Sequence, residues 1–398
     1  MNILFLTPTL PYPPDAGGKI VIFNTIKCLS QKHNISLLSL IQPGQEKFIS
    51  ALHSYCKNVE VVEKKIEYHR PALLLNLFSP LPYTISKFFN EDLKKKLKKI
   101  IRENNFDLIQ IEHLHMAQYI EWVEQRPVLL RQHNIEATMM LRFYQSASNW
   151  LEKFYALHQW YKLNRYEPHI SRLFDACLFL SEQDAFSMKP LCNKIYVLPC
   201  GVDTEYFEPK PQMEKENKLI FVGNFNFKPT LDGLIYFLKN IMPLLKKEIP
   251  KLEIKIVGPY PEKKLKFWKN EKNLLFTGYV VDVRPYIWES TVEIIPLRIA
   301  SGVRLKILEG MALGKPMVST SIGCEGLEVI DNQHLFIADS PVEFAKKTVK
   351  LLESPDLRKK FSENSRRLVE QKYNWREIVK NLERIYLQLV ESKWKLSS

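Results

Sequence analysis

Residues 1–41 read MNILFLTPTLPYPPDAGGKIVIFNTIKCLSQKHNISLLSLI. A short apolar run, Ile3–Leu6, ends in a proline-bearing loop. A glycine pair, Gly17 and Gly18, then opens an amphipathic stretch, Lys19–Ser30, and a second apolar run follows at Ile35–Ile41. Short unbroken apolar runs separated by a helix-length segment predict a β-α-β unit with parallel strands buried on both faces.

The pattern continues outward from this unit. Strand-like runs recur at Val59–Val62, Leu108–Ile111, Val128–Leu130, Ala176–Leu180 and Ile195–Leu198. A polar, proline-bearing stretch then intervenes, and the alternation restarts at Leu219–Val222, Ile254–Val257, Leu274–Thr277, Val292–Ile295, Met317–Ser319 and Leu335–Ile337. Helices are expected near Leu231–Leu245, Arg304–Leu313, Val342–Leu352 and Trp375–Trp394. The reading is α/β, two doubly wound domains in tandem: residues 1–203, a linker at 204–217, residues 218–374, and a terminal helix at 375–398. Ligands of such sheets bind beyond the carboxyl ends of the strands, so two sheets suit a reaction with one substrate on each.

Composition narrows the class. The 398 residues are 45% hydrophobic and 25% charged, enough for ordinary cores. The six cysteines lie far apart with no C-x-x-C pair, which argues against a zinc or redox motif and for reduced thiols. Prolines interrupt the first apolar run too early for a secretory leader, and no run approaches the length of a membrane span. A cytoplasmic protein is expected. Its formal net charge of +13 favours anionic partners. Residues 94–102, KKKLKKIIR, follow a Leu- and Phe-rich stretch at 71–89, so contact of residues 71–102 with an anionic membrane is weighed evenly against a plain solvated helix face. No recognised nucleic-acid module is present, and no nucleic acid is expected as partner.

Two motifs carry chemistry. Gly17 and Gly18 let backbone N–H groups at a helix start approach a ligand, although the loop lacks the G-x-G-x-x-G of dinucleotide enzymes. The second is SGVRLKILEGMALGKPMVSTSIGCEGLEV, residues 301–329. Ser301 and Gly302 precede a helix, Arg304 and Lys306 supply positive charge, and Glu309 follows Lys306 by one helical turn. A carboxylate so placed can accept hydrogen bonds from both hydroxyls of a ribose; the alternative is a simple ion pair of two helix neighbours.

That segment resembles the donor-binding core of retaining glycosyltransferases of family four. Other stretches resemble the same family in the same order: the opening strand, glycine loop and helix; VLPCGVDTEYFEP at 197–209, with Cys200 in place of the usual asparagine; LIFVGNFNFKPTLDGLIYFL from Leu219; and YNW ending at Trp375. The likeness covers nearly the whole chain. It implies a GT-B fold, two Rossmann-like domains facing across a cleft, and a hexosyltransferase acting with retention on a nucleotide-sugar donor. It further implies a glycan or lipid-linked acceptor of cell-envelope polysaccharide synthesis, with the enzyme cytoplasmic or peripheral on the inner membrane face. Glu309 would hold the ribose. Gly278, Tyr279 and Val280 would face the base, and Ser301, Gly302, Val303, Arg304 and Leu305 the phosphates. Gly17 and Gly18 would line the donor phosphates or the acceptor. Two departures stand out. Ser301 occupies the position of the first glutamate of the family's E-x₇-E pair, and Asn224 stands where an arginine is usual, with Lys228 near the usual lysine. Arg304 and Lys306 would then offset the leaving diphosphate.

Histidines complete the set. His113 and His115 follow one strand beside Glu112, and His133 follows the next, with Glu136 close by. His133 and His113 are preferred as residues approaching the transferred sugar; a zinc reading is set aside because the spacing fits no standard motif. No two aspartates are separated by one residue, so the Asp-x-Asp clamp of metal-dependent sugar transferases is missing and no metal or other cofactor is expected. The rival reading is a non-enzymic nucleotide-sugar-binding scaffold, suggested by Ser301 and Asn224.

Overall fold

Each apolar run named above is a strand. A computed structural model describes residues 1–66, 70–123, 126–147, 149–189, 191–299 and 305–397. The chain divides into two compact units, Met1–Pro199 with Ile378–Ser398, and Cys200–Glu377.

The first unit holds β1 (Asn2–Thr7), β2 (Asn34–Ile41), β3 (Asn58–Glu63), β4 (Leu108–Glu112), β5 (Val128–Gln132), β6 (Ala176–Phe179) and β7 (Ile195–Val197). They form one sheet in the order β3-β2-β1-β4-β5-β6-β7, with all neighbours parallel. Helices cover both faces, which is why Ile3–Leu6 and Leu108–Ile111 carry apolar side chains on both sides and are buried. The order reverses between β1 and β4, and the crevice at such a reversal is where open α/β sheets bind ligands.

The second unit repeats the plan with β8 (Lys218–Val222), β9 (Glu253–Val257), β10 (Leu274–Gly278), β11 (Val292–Ile295), β12 (Met317–Ser319) and β13 (Phe336–Ile337). Their order is β10-β9-β8-β11-β12-β13, again parallel, with the reversal between β8 and β11.

One expectation changes, and one helix gains detail. The stretch read as a linker is built into the second unit: the Trp288 indole donates to the Glu208 carbonyl at 2.9 Å, and Arg366 donates to the carbonyls of Phe207 at 2.7 Å and Thr204 at 3.0 Å. Its polar composition hid these backbone acceptors. The helix expected at Leu231–Leu245 is present and longer, running without a gap through Lys228–Tyr236, a wider π turn at Phe237–Ile241 and Met242–Glu248. Pro243 has no N–H to give to the carbonyl of the preceding turn, which fits the widening there.

The basic run forms the helix Glu91–Glu103. Asn90 caps it, its side chain accepting from the N–H groups of Asp92 at 2.8 Å and Leu93 at 3.0 Å. Leu93 and Leu97 turn inward, and the lysines turn outward to carboxylates: Lys94 to Glu91 at 3.0 Å and Lys96 to Glu60 at 2.8 Å. Among the described residues no helix is long and apolar enough to cross a membrane.

Candidate functional site

In the first unit, the carboxyl ends of β4 and β5 place Glu112, His113, Gln132 and His133 next to one another. Glu112 is the anchor. Arg131 donates to it through Nε at 3.1 and 3.0 Å and through a terminal nitrogen at 2.6 Å, and Gln110 Nε2 donates at 2.5 Å. Arg131 also reaches Thr25 Oγ1 on the first helix, Gly17–Leu29, at 3.0 Å. The Tyr386 hydroxyl donates to Gln110 Oε1 and closes the network from the terminal helix. All of these side chains are buried. Burial alone would push the Glu112 carboxyl up, but the guanidinium and His133 beside it hold it down at about 2. It is therefore an anion that only accepts hydrogen bonds.

That fixes a proton. His133 Nε2 lies 2.8 Å from Glu112 Oε2, so Nε2 carries the hydrogen and donates. Burial lowers the His133 pKa despite the carboxylate, which leaves the ring neutral at pH 7 with a lone pair on Nδ1. His113 stacks on it, ring centroids 3.8 Å apart and 16° from parallel. The His113 backbone has φ 64°, unusual for a residue with a side chain, and its N–H donates to the Arg131 carbonyl at 2.9 Å. Burial and the neighbouring ring keep His113 well below the usual histidine range. His115 sits behind, 5.9 Å from His113 between centroids, with Nε2 3.8 Å from Glu136. Burial pushes Glu136 up to about 7.

Gly18 lies over this pair. A Cβ built on it would stand 2.9 Å from His113 Nε2 and 3.8 Å from His133 Nδ1. The helix can meet the rings only because residue 18 has no side chain. Gly18→Ala must therefore displace the His113 ring from its stack; we expect kcat/KM to fall about tenfold with a stability loss of about 1–3 kcal/mol. Steady-state kinetics with a thermal melt checks this, and unchanged kinetics would show the packing to be incidental.

In the second unit, Glu309 stands on the helix Leu305–Ala312 and is 8% exposed. Its Oε2 receives the Lys306 ammonium at 2.9 Å. The next residue, Gly310, is pressed against β11 and β12: an added Cβ would lie 2.2 Å from Glu293 Oε2 and 2.0 Å from Met317 Cε. Glu293 itself is 1% exposed, and its Oε2 has no hydrogen-bond partner among the described residues. Burial, and then the charge of Glu309, push its carboxyl up to about 8. A group that keeps its proton when folded and loses it near 4.5 when unfolded stabilises the fold below pH 4.5, and that contribution drains away as pH rises toward 8. Glu293→Gln should flatten the fall in melting temperature between pH 5 and pH 8; parallel melting curves for the two proteins would refute the buried neutral acid.

At the other strand ends of this unit, Gly223, Gly258 and Gly278 bring backbones together. Gly258 has φ 128°, donates to the Gly278 carbonyl at 3.0 Å, and leaves only 1.9 Å between a built Cβ and the Gly223 carbonyl oxygen. Asn224 is exposed beyond β8 and accepts from the Asn226 N–H at 3.1 Å, while Lys228 opens the following helix. Tyr279 is exposed and Val280 packs on the apolar cluster of Ile220, Val222 and Val257.

The residues picked from sequence thus fall into groups. Gly18, His113 and His133 meet in the first unit, with Gly17 exposed at the helix start. Lys306 and Glu309 meet in the second, with Leu305 opening their helix. Asn224, Lys228, Tyr279 and Val280 lie beyond strand ends. Ser301, Gly302, Val303 and Arg304 lie outside the described residues. Sequence reasoning passed over Arg131, Gln110 and Glu293. Their signal was an ionisable or amide side chain inside a strand buried on both faces, where it must find a partner.

A model of the family described as Glycosyltransferase Family 4 matches residues 16–206, and one described as Glycosyl transferases group 1 matches residues 216–354. The chain belongs to glycosyltransferase family four. An uncharacterized 44.6 kDa protein in the cps region of Klebsiella pneumoniae is 22% identical to this glycosyltransferase over 96% of the chain and 98% of its own length. Sucrose-phosphate synthase from Thermosynechococcus elongatus shares the GT-B fold with a TM-score of 0.75 at 17% identity, covering 98% of this chain and 100% of its own. HepE of Anabaena in complex with UDP superposes with a TM-score of 0.70 at 14% identity, covering 98% and 100%. Among the described residues no group of three or more histidine, cysteine, aspartate or glutamate side chains is arranged to hold a metal ion.

Proposed function

We propose that this glycosyltransferase moves a hexosyl unit from a nucleoside-diphosphate sugar to a glycan or lipid-linked glycan of envelope polysaccharide, with retention and without a metal ion, working on the inner side of the membrane. The observation that carries the reading is Glu309: a shielded carboxylate on a helix behind the β11 strand end, braced by Lys306 at 2.9 Å and leaving lone pairs for two ribose hydroxyls. Lys306 then offers a cation to the leaving diphosphate. The neutral His133, its Nε2 proton given to Glu112, would accept from a sugar hydroxyl through Nδ1, and His113 holds that ring in register. The HepE complexes with UDP and UDP-glucose support a uridine donor, and the relative in a cps region supports the polysaccharide role.

The test is a panel of nucleotide sugars incubated with the purified protein in the presence of EDTA. Release of nucleoside diphosphate from one donor, with product anomer matching donor anomer by NMR, is the expected result. Inversion would remove the retaining mechanism, loss of turnover in EDTA the metal independence, and nucleotide binding with no turnover on any donor the enzymic reading.

A further inference from the structure

Under the helix Leu305–Ala312 lies an acid that the proposed chemistry leaves unused. Glu293 belongs to β11, paired in the sheet with Ile220 on β8 and Met317 on β12. It is buried, and its Oε2 has no hydrogen-bond partner among the described residues. The other residues of the strand, Val292, Ile294 and Ile295, are apolar and buried, as a strand covered on both faces requires. A carboxyl here costs stability that an aliphatic side chain of similar size would not. The helix is fitted to it as well: Gly310 has no Cβ where one would stand 2.2 Å from that Oε2. Packing alone gives no reason for an acid opposite a glycine.

Charged groups gather around Glu293. The helix contributes Lys306 and Glu309, joined at 2.9 Å, and the turn after it contributes Lys315. Lys315 is held elsewhere: its Nζ donates to the Ser290 and Trp288 carbonyls, and Glu214 stands 3.5 Å away, itself paired with Arg358 at 3.1 Å. The helix Pro341–Glu353 also packs on β11, and its buried residues include Phe344, Thr348 and Leu351 but no charged side chain. Lys306 differs from Lys315. Its side chain is half-exposed, and its ion pair is with Glu309. Burial works against its charge, but Glu309 and then Glu293 more than offset that and hold its pKa above the usual lysine value.

Two carboxyls thus act on one ammonium. While Glu293 keeps its proton, Lys306 answers to Glu309 alone and can also face a diphosphate. Once Glu293 ionises, the ammonium serves two anions, and an incoming diphosphate meets one more negative charge. Burial and the charge of Glu309 push Glu293 up to about 8, so the change falls where the protein can be studied folded.

We propose that Glu293 is a positioning residue of the donor site: neutral, it leaves Lys306 to Glu309 and the diphosphate; ionised, it competes for Lys306 and repels the diphosphate, so nucleotide binding is coupled to protonation of this buried acid. The inference rests on the donor reading of Glu309 and Lys306 above and adds its regulation by pH. A bound diphosphate disfavours a further anion nearby, so the protein takes up a proton as the nucleotide binds. By the same linkage, affinity falls as pH rises through about 8.

UDP is the probe, titrated calorimetrically in EDTA from pH 7.5 to pH 9.5, above the region of about pH 6 where a terminal phosphate titrates. The native protein should lose about tenfold in affinity over that span. At pH 8.5, paired buffers of different ionisation enthalpy should show uptake of about half a proton per UDP. Glu293→Gln should lose both the slope and the uptake. Glu293→Leu, which has no polar atom to bury, should do the same and serves if the amide variant fails to fold. A flat native affinity with no uptake overturns the proposal. So does uptake that survives in either folded variant, which would move the proton to Lys315 or another group. An equal loss of affinity at every pH in Glu293→Gln, with the native slope retained, would reduce Glu293 to packing. Absence of UDP binding by the native protein at pH 7.5 would sink the transferase reading itself, whereas UDP binding without slope sinks only the proton coupling.

Discussion

Arg131→Met will destabilise the first unit by about 3–5 kcal/mol. Methionine fills much of the same space, so the loss is electrostatic. It leaves Glu112 buried with its main counter-charge gone, and a lone carboxylate away from water must either take a proton or remain at high cost. The pH dependence gives the test its direction. In the native protein Glu112 is held at about 2 against 4.5 when unfolded, so its contribution is present above pH 4.5 and lost as pH falls toward 2. Without Arg131 burial dominates and lifts the carboxyl above 4.5. The stability gap between variant and native protein should therefore widen from pH 4 to pH 7. Urea unfolding across that range measures it. Glu112→Gln added to Arg131→Met should recover part of the loss; a single variant as stable as the native protein would show that the pair contributes nothing.

Glu309→Ala will raise the donor KM by about 10- to 100-fold, the size expected when a charge-assisted pair of hydrogen bonds to hydroxyl groups is lost. The effect should fall on KM more than on kcat, because ribose lies away from the breaking bond and its contacts persist through the reaction. Glu309→Gln, which keeps the shape and an acceptor oxygen, should lie between. Lys306 complicates the readout, since losing its partner at 2.9 Å frees an ammonium beside the helix. Binding of UDP measured alongside binding of UMP separates the two roles: loss of the ribose contact weakens both alike. Native KM in Glu309→Ala would reject the ribose assignment.

Much of this was legible beforehand. The strands were legible because parallel strands buried on both faces must be apolar without interruption, and such runs stand out whatever surrounds them. Gly18, His113, His133, Lys306 and Glu309 were legible as candidates because they follow those runs. The helices Glu136–Ser146 and Trp150–Ser171 were not read, and the reason is visible in the second: its apolar residues lie on the exposed side as well as the buried one, which blurs the period. The supposed linker was misread because polar residues whose backbones serve as acceptors look the same as solvated ones.

The sequence by itself determined that two parallel sheets would form and which loops would stand at their carboxyl ends, because burial on both faces is a local demand written into each run. Only the tertiary structure decided which charges meet. Gln110, Glu112, Arg131 and Tyr386 come from β4, β5 and the last helix, and their pairing sets the proton on His133. That pairing depends on register between strands and on packing of a distant helix, which spacing along the chain does not encode.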